Sequence, residues 1–178
     1  MKFSADTQQA SFTSPLGRMV LAATGERLVG AWFDGQSHQP DTSRWPAACA
    51  LPLFQRVEAQ LNDYFAGRRK SFDLPLDLSS GTDFQQTIWR ALLQIPYAAT
   101  LSYGALSAMI GKPTAVRAVA GAVGRNPFSI IVPCHRVLGA SGALTGYAGG
   151  IERKIALLQL EDAPFMRQHN PGPTQSTL

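Results

Sequence analysis

Between Ser129 and Val137 a β-branched run, Ile130-Ile131-Val132, meets Pro133 and is followed at once by Cys134, His135 and Arg136. Such a run has to be buried, and the proline that ends it has a fixed φ and no N–H to give. Ordered backbone therefore stops where the polar triplet begins. The composition predicts a short buried strand or extended segment over 130–132, with Cys134 at the start of a loop at the edge of the core. A thiol is a nucleophile only as thiolate, and an imidazole, a guanidinium or a helix N-terminus draws its pKa below the ordinary ~8.5. His135 and Arg136 supply two of these three influences. Free cysteine also serves as a small core hydrophobe, so the pair alone leaves both roles open.

The rest of the composition narrows the class. A chain of 178 residues with 45% hydrophobic and 16% charged residues is long enough for one large or two small soluble domains. Two cysteines, Cys49 and Cys134, exclude a disulfide framework and a Cys-rich zinc module, and a lone reactive thiol suits a reducing compartment. His38 and Cys49 lie in or beside a proline-interrupted loop at 34–50; two candidate ligands fall short of a metal site, and they read as surface and core fillers. The N-terminus lacks a signal-peptide core, and no stretch approaches ~18 uninterrupted apolar residues, so a cytoplasmic protein with no membrane association is expected.

The net charge of +4 is unevenly placed. From Gly81 to Val137, Arg90, Lys112, Arg117, Arg125 and Arg136 stand against Asp83 alone, five of the 16 basic and one of the 12 acidic residues, so the remainder is neutral. A basic excess confined to one segment is the footprint of a polyanion-binding face.

Residues 10–35 predict β-hairpins, with turns at Pro15-Leu16-Gly17 and Thr24-Gly25. Leu53, Val57, Leu61 and Tyr64 recur at helical spacing, and Gly67 suits the C′ position. Phe72, Leu74, Leu76 and Leu78 alternate with polar residues and Pro75, which predicts an edge strand. The polar junction Leu78 to Thr82 marks the expected boundary between an N-terminal domain, 1–80, and a C-terminal one, 81–162, followed by a loose tail, 163–178. Beyond it, Thr82 or Asp83 caps a helix with inner residues Phe84, Ile88, Ala91, Leu92 and Ile95. A second helix runs from Tyr103 to Ile110, and a third, capped by Thr114, from Ala115 to Val123. The last two, joined by Gly111-Lys112-Pro113, form a helix-turn-helix candidate. The third is nearly all Ala, Gly and Val, with Arg117 its only charge: a slim rod able to approach another surface closely and project one long cation. Gly146-Tyr147-Ala148-Gly149-Gly150 lacks the Lys-Ser/Thr of a phosphate loop and reads as a pocket wall. Ile151, Ile155 and Leu158 stripe a final helix ending near Glu161. The fold class expected is α+β, a small antiparallel sheet with one helix followed by a helical, winged-helix-like DNA-binding domain.

Asn126-Pro127, Pro133-Cys134-His135-Arg136-Val137, Gly146 to Gly150 and Leu157-Leu158-Gln159-Leu160-Glu161 occur in the order and spacing of the O6-alkylguanine-DNA alkyltransferases, which this chain resembles strongly over 82–162. The resemblance implies single-turnover DNA repair. Cys134 would accept the alkyl group from O6-alkylguanine in duplex DNA, with O4-alkylthymine a second candidate substrate. His135 would be the base, acting through a water, Glu161 would hold the other ring nitrogen, and Asn126 would brace the turn before the active-site strand. Tyr103 would press on the phosphate and offer its hydroxyl to the leaving guanine, and Arg117 would fill the vacated place in the stack. Thr114, Ala115, Ala118 and Arg125 would face DNA. Val137, Tyr147, Ala148 and Gly149 would line the base pocket, with Ala148 standing where some members have Ser. Double-stranded DNA bearing alkylated bases is the expected partner, the protein a monomer with side-by-side binding on DNA as an alternative. No cofactor is implied, and no metal, since Cys49 is the only cysteine where some relatives carry zinc. An alkyltransferase-like binding module would lack the reactive cysteine, and no papain-type or caspase-type signature supports a thiol hydrolase.

Overall fold

The structure, a computed structural model, describes residues 1–48 and 50–163. Three antiparallel strands, β1 (Gln8–Ser14), β2 (Gly17–Thr24) and β3 (Arg27–Phe33), form a meander in the order β1-β2-β3. Both hairpins turn where glycine permits a positive φ, at Gly17 (114°) and Gly25 (56°). Five successive residues of β2, Met19 to Ala23, are buried because both faces of the sheet are covered. One face packs on α1 (Pro52–Phe65) through Phe54, Val57, Leu61 and Tyr64; on the other, Ala22, Val29 and Trp32 cluster with Phe3 and Trp45.

The second half is helical: α2 (Asp83–Leu92), α3 (Tyr103–Met109), α4 (Val116–Gly124) and α5 (Ile151–Leu160), with two short parallel strands, β4 (Leu101–Ser102) and β5 (Val137–Leu138). A capping box between Thr82 and Gln85 starts α2. The inner face of α2 also includes Trp89, which the expected face omitted; it is fully buried and its indole N–H donates to Ala122 O at 2.9 Å. Phe84 and Ala91 are only half-buried. Thr114 does not cap α4, whose N-cap is Ala115 without a side-chain bond, and Thr114 stays exposed. One apolar cluster runs from Phe12 and Phe33 through α1 to Ile88, Val119, Phe128 and Leu157.

Three other expectations are corrected. Residues 72–78 form no strand: they touch β3 through a single bridge, Leu28 to Leu76, with Leu28 N–H donating to Pro75 O and Asp77 N–H to Leu28 O. The run 130–132 is not a strand either. Phe128 makes one bridge to Ala31; then the Ile131 N–H turns back to Ser129 O (2.9 Å) around Ile130, whose φ is +72°. The Cys134 N–H turns back to Val132 O (2.8 Å) around Pro133 at φ −80°, ψ 61°. These are two γ-turns in succession, the first around a β-branched residue in a strained region. Burial is right and extension wrong, because the segment has to fold back to bring Cys134 to Asn126, just past the end of α4. At the C-terminus Ala163 is fully buried with Leu138 and Leu158, so the chain is packed one residue further than expected; the rest of the predicted tail, and Cys49, lie outside the described residues. Among the described residues no helix is long and apolar enough to cross a membrane.

Replacing Trp89 by Phe removes the indole donor and leaves the Ala122 carbonyl only the longer bond from the Arg125 N–H (3.2 Å), which should lower the unfolding free energy by about 0.5–1.5 kcal/mol. Urea denaturation would show this as a lower midpoint with the slope retained; an unmoved midpoint would mean the bond contributes nothing.

Candidate active site

Cys134, His135 and Arg136 form one 3-10 turn directly after Pro133, and all three are buried. Asn126, at the end of α4, holds the approach to it. Its amide N–H groups are shared among Val132 O (2.8 Å), Phe128 O (3.1 Å) and Cys134 Sγ (3.1 Å), while its Oδ1 accepts the Phe128 N–H (3.0 Å). The expected brace is thus also a hydrogen-bond donor to the sulfur.

Behind the cysteine stands Glu161, at the C-cap of α5 and 1% exposed. Its Oε1 lies 2.9 Å from His135 Nε2, and it accepts the Tyr64 hydroxyl at 2.7 Å and Arg136 Nη2 at 2.9 Å. Its Oε2 accepts Arg136 Nε at 2.9 Å and the Ala98 N–H at 3.3 Å. Burial opposes ionisation of this carboxyl, but the bonds from His135 and Arg136 prevail and hold it down to about 2. A carboxylate at Oε1 fixes the ring's tautomer: Nε2 carries the proton and donates. His135 Nδ1 is then the acceptor, and it is buried with no protein partner. Burial, aided by the neighbouring Arg136 and Lys154, keeps the imidazole neutral despite Glu161.

Arg136 does not activate the thiol, as its position in the sequence suggested. Its guanidinium turns away to form the bidentate pair with Glu161 and donates Nη1 to Ile95 O at 2.7 Å. The cation acting on Cys134 is Lys154, which sequence reasoning missed. Helical periodicity put Ile151, Ile155 and Leu158 on the inner face of α5; the buried residues are Lys154, Leu157 and Leu158, and Ile151 is exposed. Lys154 Nζ donates to Val137 O (2.6 Å) and Thr145 O (3.0 Å), and burial lowers its pKa to about 8. Burial pushes the Cys134 thiol up, against the pull of the Asn126 amide and then of Lys154. The surroundings alone therefore do not ionise the sulfur, contrary to the sequence-based expectation; its proton needs an acceptor.

A cavity of about 380 Å³ opens on the α3–α4 face, lined by Tyr103, Gly146, Tyr147 and Ala148 together with Ser37 and His38. Burial pushes the hydroxyls of both tyrosines up, and a thiolate at Cys134 would push them further. Tyr103 OH donates to Gly146 O at 3.4 Å, and the Tyr147 OH is buried. Val137 and Gly149 stand behind the lining. Val137 is fully buried with its carbonyl on Lys154, and Gly149 packs on Phe33 with its carbonyl held by Arg153 Nη1 at 2.8 Å. On α4, Val119, Ala122 and Val123 face the core while Arg117 and Ala118 are exposed. No acid pairs with Arg117 among the described residues, and Arg125 is exposed, bonded only to Gly121 O at 3.1 Å. Among the described residues no cluster of three or more His, Cys, Asp or Glu could hold a metal.

A helix-turn-helix with a smooth, basic outer face, set over a buried thiol and a tethered imidazole, defines a DNA-binding protein built around a cysteine. Comparison with known proteins gives the particular kind. Residues 83–163 match the DNA-binding domain of 6-O-methylguanine DNA methyltransferase, and residues 9–78 match its ribonuclease-like domain. The methylated-DNA–protein-cysteine methyltransferase of Mycobacterium tuberculosis is 52% identical over 83% of this chain and 88% of its own. That of Haemophilus influenzae is 44% identical over 87% and 86%. The crystal structure of Mycobacterium tuberculosis OGT in complex with DNA superposes with a TM-score of 0.80 at 49% identity, covering 87% of this chain and 91% of that one. The chain belongs to the 6-O-methylguanine-DNA methyltransferase family.

Glu161→Gln would leave the buried Arg136 uncompensated and should destabilise the protein by about 3–5 kcal/mol at neutral pH. Because the native carboxyl is ionised down to about 2, its contribution is complete above the ordinary glutamate range and is lost as pH falls below it. Thermal unfolding of parent and variant should therefore converge between pH ~4.3 and ~2; a gap that stays constant on acidification would contradict the ionised pair.

Proposed function

We propose that this protein repairs O6-alkylguanine in duplex DNA by one irreversible transfer of the alkyl group to Cys134. The observation that carries the reading is the geometry of His135, the residue next to Cys134: Nε2–H is committed to Glu161, which leaves Nδ1 as a buried acceptor with no protein partner. The outer face of α4 enters the minor groove, which is only ~6 Å wide and admits a helix bearing alanines and glycines. Arg117 occupies the space of the extruded nucleotide, whose flipping costs a few kcal/mol. Thr114, Ala115, Ala118 and Arg125 follow the backbone around it. The alkylated base enters the cavity between Tyr103 and Tyr147.

The thiol proton passes through a bridging water to His135 Nδ1, and the imidazolium is stabilised by Glu161. The sulfur lone pair forms the S–C bond as the O6–C bond breaks, and guanine leaves with that electron pair. Tyr103, whose hydroxyl stays protonated, donates a hydrogen bond to the departing base, which takes up through solvent the proton that His135 received from the thiol. The ammonium of Lys154 offsets charge on the sulfur during the step. The thioether has no hydrolysable bond, so one protein molecule repairs one base. The division at residue 80/81, a monomeric state and a cytoplasmic location accompany this reading.

Intact mass after incubation with duplex DNA containing O6-methylguanine should rise by one CH2, located on Cys134, in an amount no greater than the protein present. Turnover beyond one equivalent would favour a thiol hydrolase, and tight binding with unchanged mass a non-reacting lesion-binding module. Arg117→Ala should slow repair in duplex DNA at least about tenfold more than reaction with free O6-benzylguanine, since only the duplex reaction pays for unstacking; equal losses would remove Arg117 from that role.

A further inference from the structure

The loop leaving β3 belongs to the N-terminal half, yet it is stitched to the alkyl-acceptor site at two points, and a third bond closes the loop on itself. Gln36 is buried, and its Oε1 accepts both the Phe33 N–H (2.9 Å) and the hydroxyl of Ser129 (2.7 Å), in the segment that leads to Cys134. The Ser37 N–H donates to Ala148 O at 3.0 Å, on the pocket wall itself. The Gly35 N–H is held by Gln39 Oε1 at 2.7 Å. Beside these ties His38 is exposed with φ +65°, in the left-handed region that histidine enters more readily than most side chains. His38 and Ser37 line the same cavity as Tyr103, Tyr147 and Ala148. On the α4 side that cavity meets only Ala120 and Gly124, so apart from the two tyrosines the imidazole is its bulkiest lining group.

We infer that His38 is a specificity-determining residue, the N-terminal wall of the lesion pocket, and that it limits the size of O6-alkyl group that can be presented to Cys134. The inference rests on the repair reading given above. A methyl adduct adds little to the volume of guanine and clears the imidazole. A benzyl adduct of the same base must share the space between His38 and Tyr147. Because the loop is pinned through Gln36 and Ser37, the wall cannot swing away without breaking bonds to Ser129 and Ala148. The N-terminal half thereby sets substrate range from outside the DNA-binding module.

Single-turnover rates on duplexes carrying O6-methylguanine or O6-benzylguanine at the same position test this with His38→Gly. Glycine adopts this φ without strain, so the variant folds with the loop in place. The benzyl-to-methyl rate ratio should rise at least about fivefold over the parent, a modest change for one lost wall contact in a pocket. His38→Asn, smaller and tolerant of the same backbone, should fall between the two. A smaller rise in the ratio for His38→Gly, whether both rates stay put or drop together, overturns the assignment. A parent protein inert towards both duplexes overturns the repair reading and this one with it, whereas an active parent with an unchanged ratio overturns this one alone.

Discussion

One carboxylate gathers the molecule. Glu161 closes α5 and receives donors from α1 (Tyr64), from the turn after α2 (Ala98) and from the active-site turn (His135 and Arg136), with nothing left over for solvent. Any buried charge has to recover the hydration it loses, and here five donors do so. The elements that supply them are thereby fixed in mutual position. The sheet half contributes through Tyr64, so the site is not the property of the helical half alone.

This arrangement also divides the labour of two buried cations. Arg136, beside the cysteine in sequence, is spent on the carboxylate, and the pair is close to neutral. Lys154 has no acid partner among the described residues; two backbone carbonyls hold its ammonium, and its charge acts on the sulfur. A cation kept in place before any anion exists is organised for charge that develops during a reaction rather than for the resting fold, which it burdens. The γ-turn strain at Ile130 serves the same end, since the backbone folds back there to bring Cys134 to Asn126.

Much of this was legible in the sequence. Hairpin turns marked by Gly17 and Gly25, the amphipathic α1 and the glycine at 111 after α3 are local signals, and local signals survive folding. The Pro-Cys-His-Arg string and Glu161, singled out by the sequence, are residues that the structure brings together. What escaped depends on contacts distant in sequence. Alternation over 72–78 matched a strand, but β3 offers its edge to two separate segments, and each makes one bridge. Lys154 escapes because periodicity assigns lysine to solvent, and Trp89 because only tertiary structure reveals the partner of its indole N–H. The role of Arg136 was misjudged by proximity: adjacency along the chain does not decide which way a guanidinium points.

The account requires His135 to take the proton from a thiol that its surroundings do not ionise. The direct test is the pH dependence of Cys134 alkylation by a methylated duplex in the parent and in His135→Gln, whose amide can still donate to Glu161 but offers no base at the position of Nδ1. The variant should be nearly unreactive at neutral pH and recover as hydroxide removes the thiol proton in alkaline solution. A variant that reacts at neutral pH as fast as the parent would show that the sulfur is ionised without the imidazole, and would contradict the account.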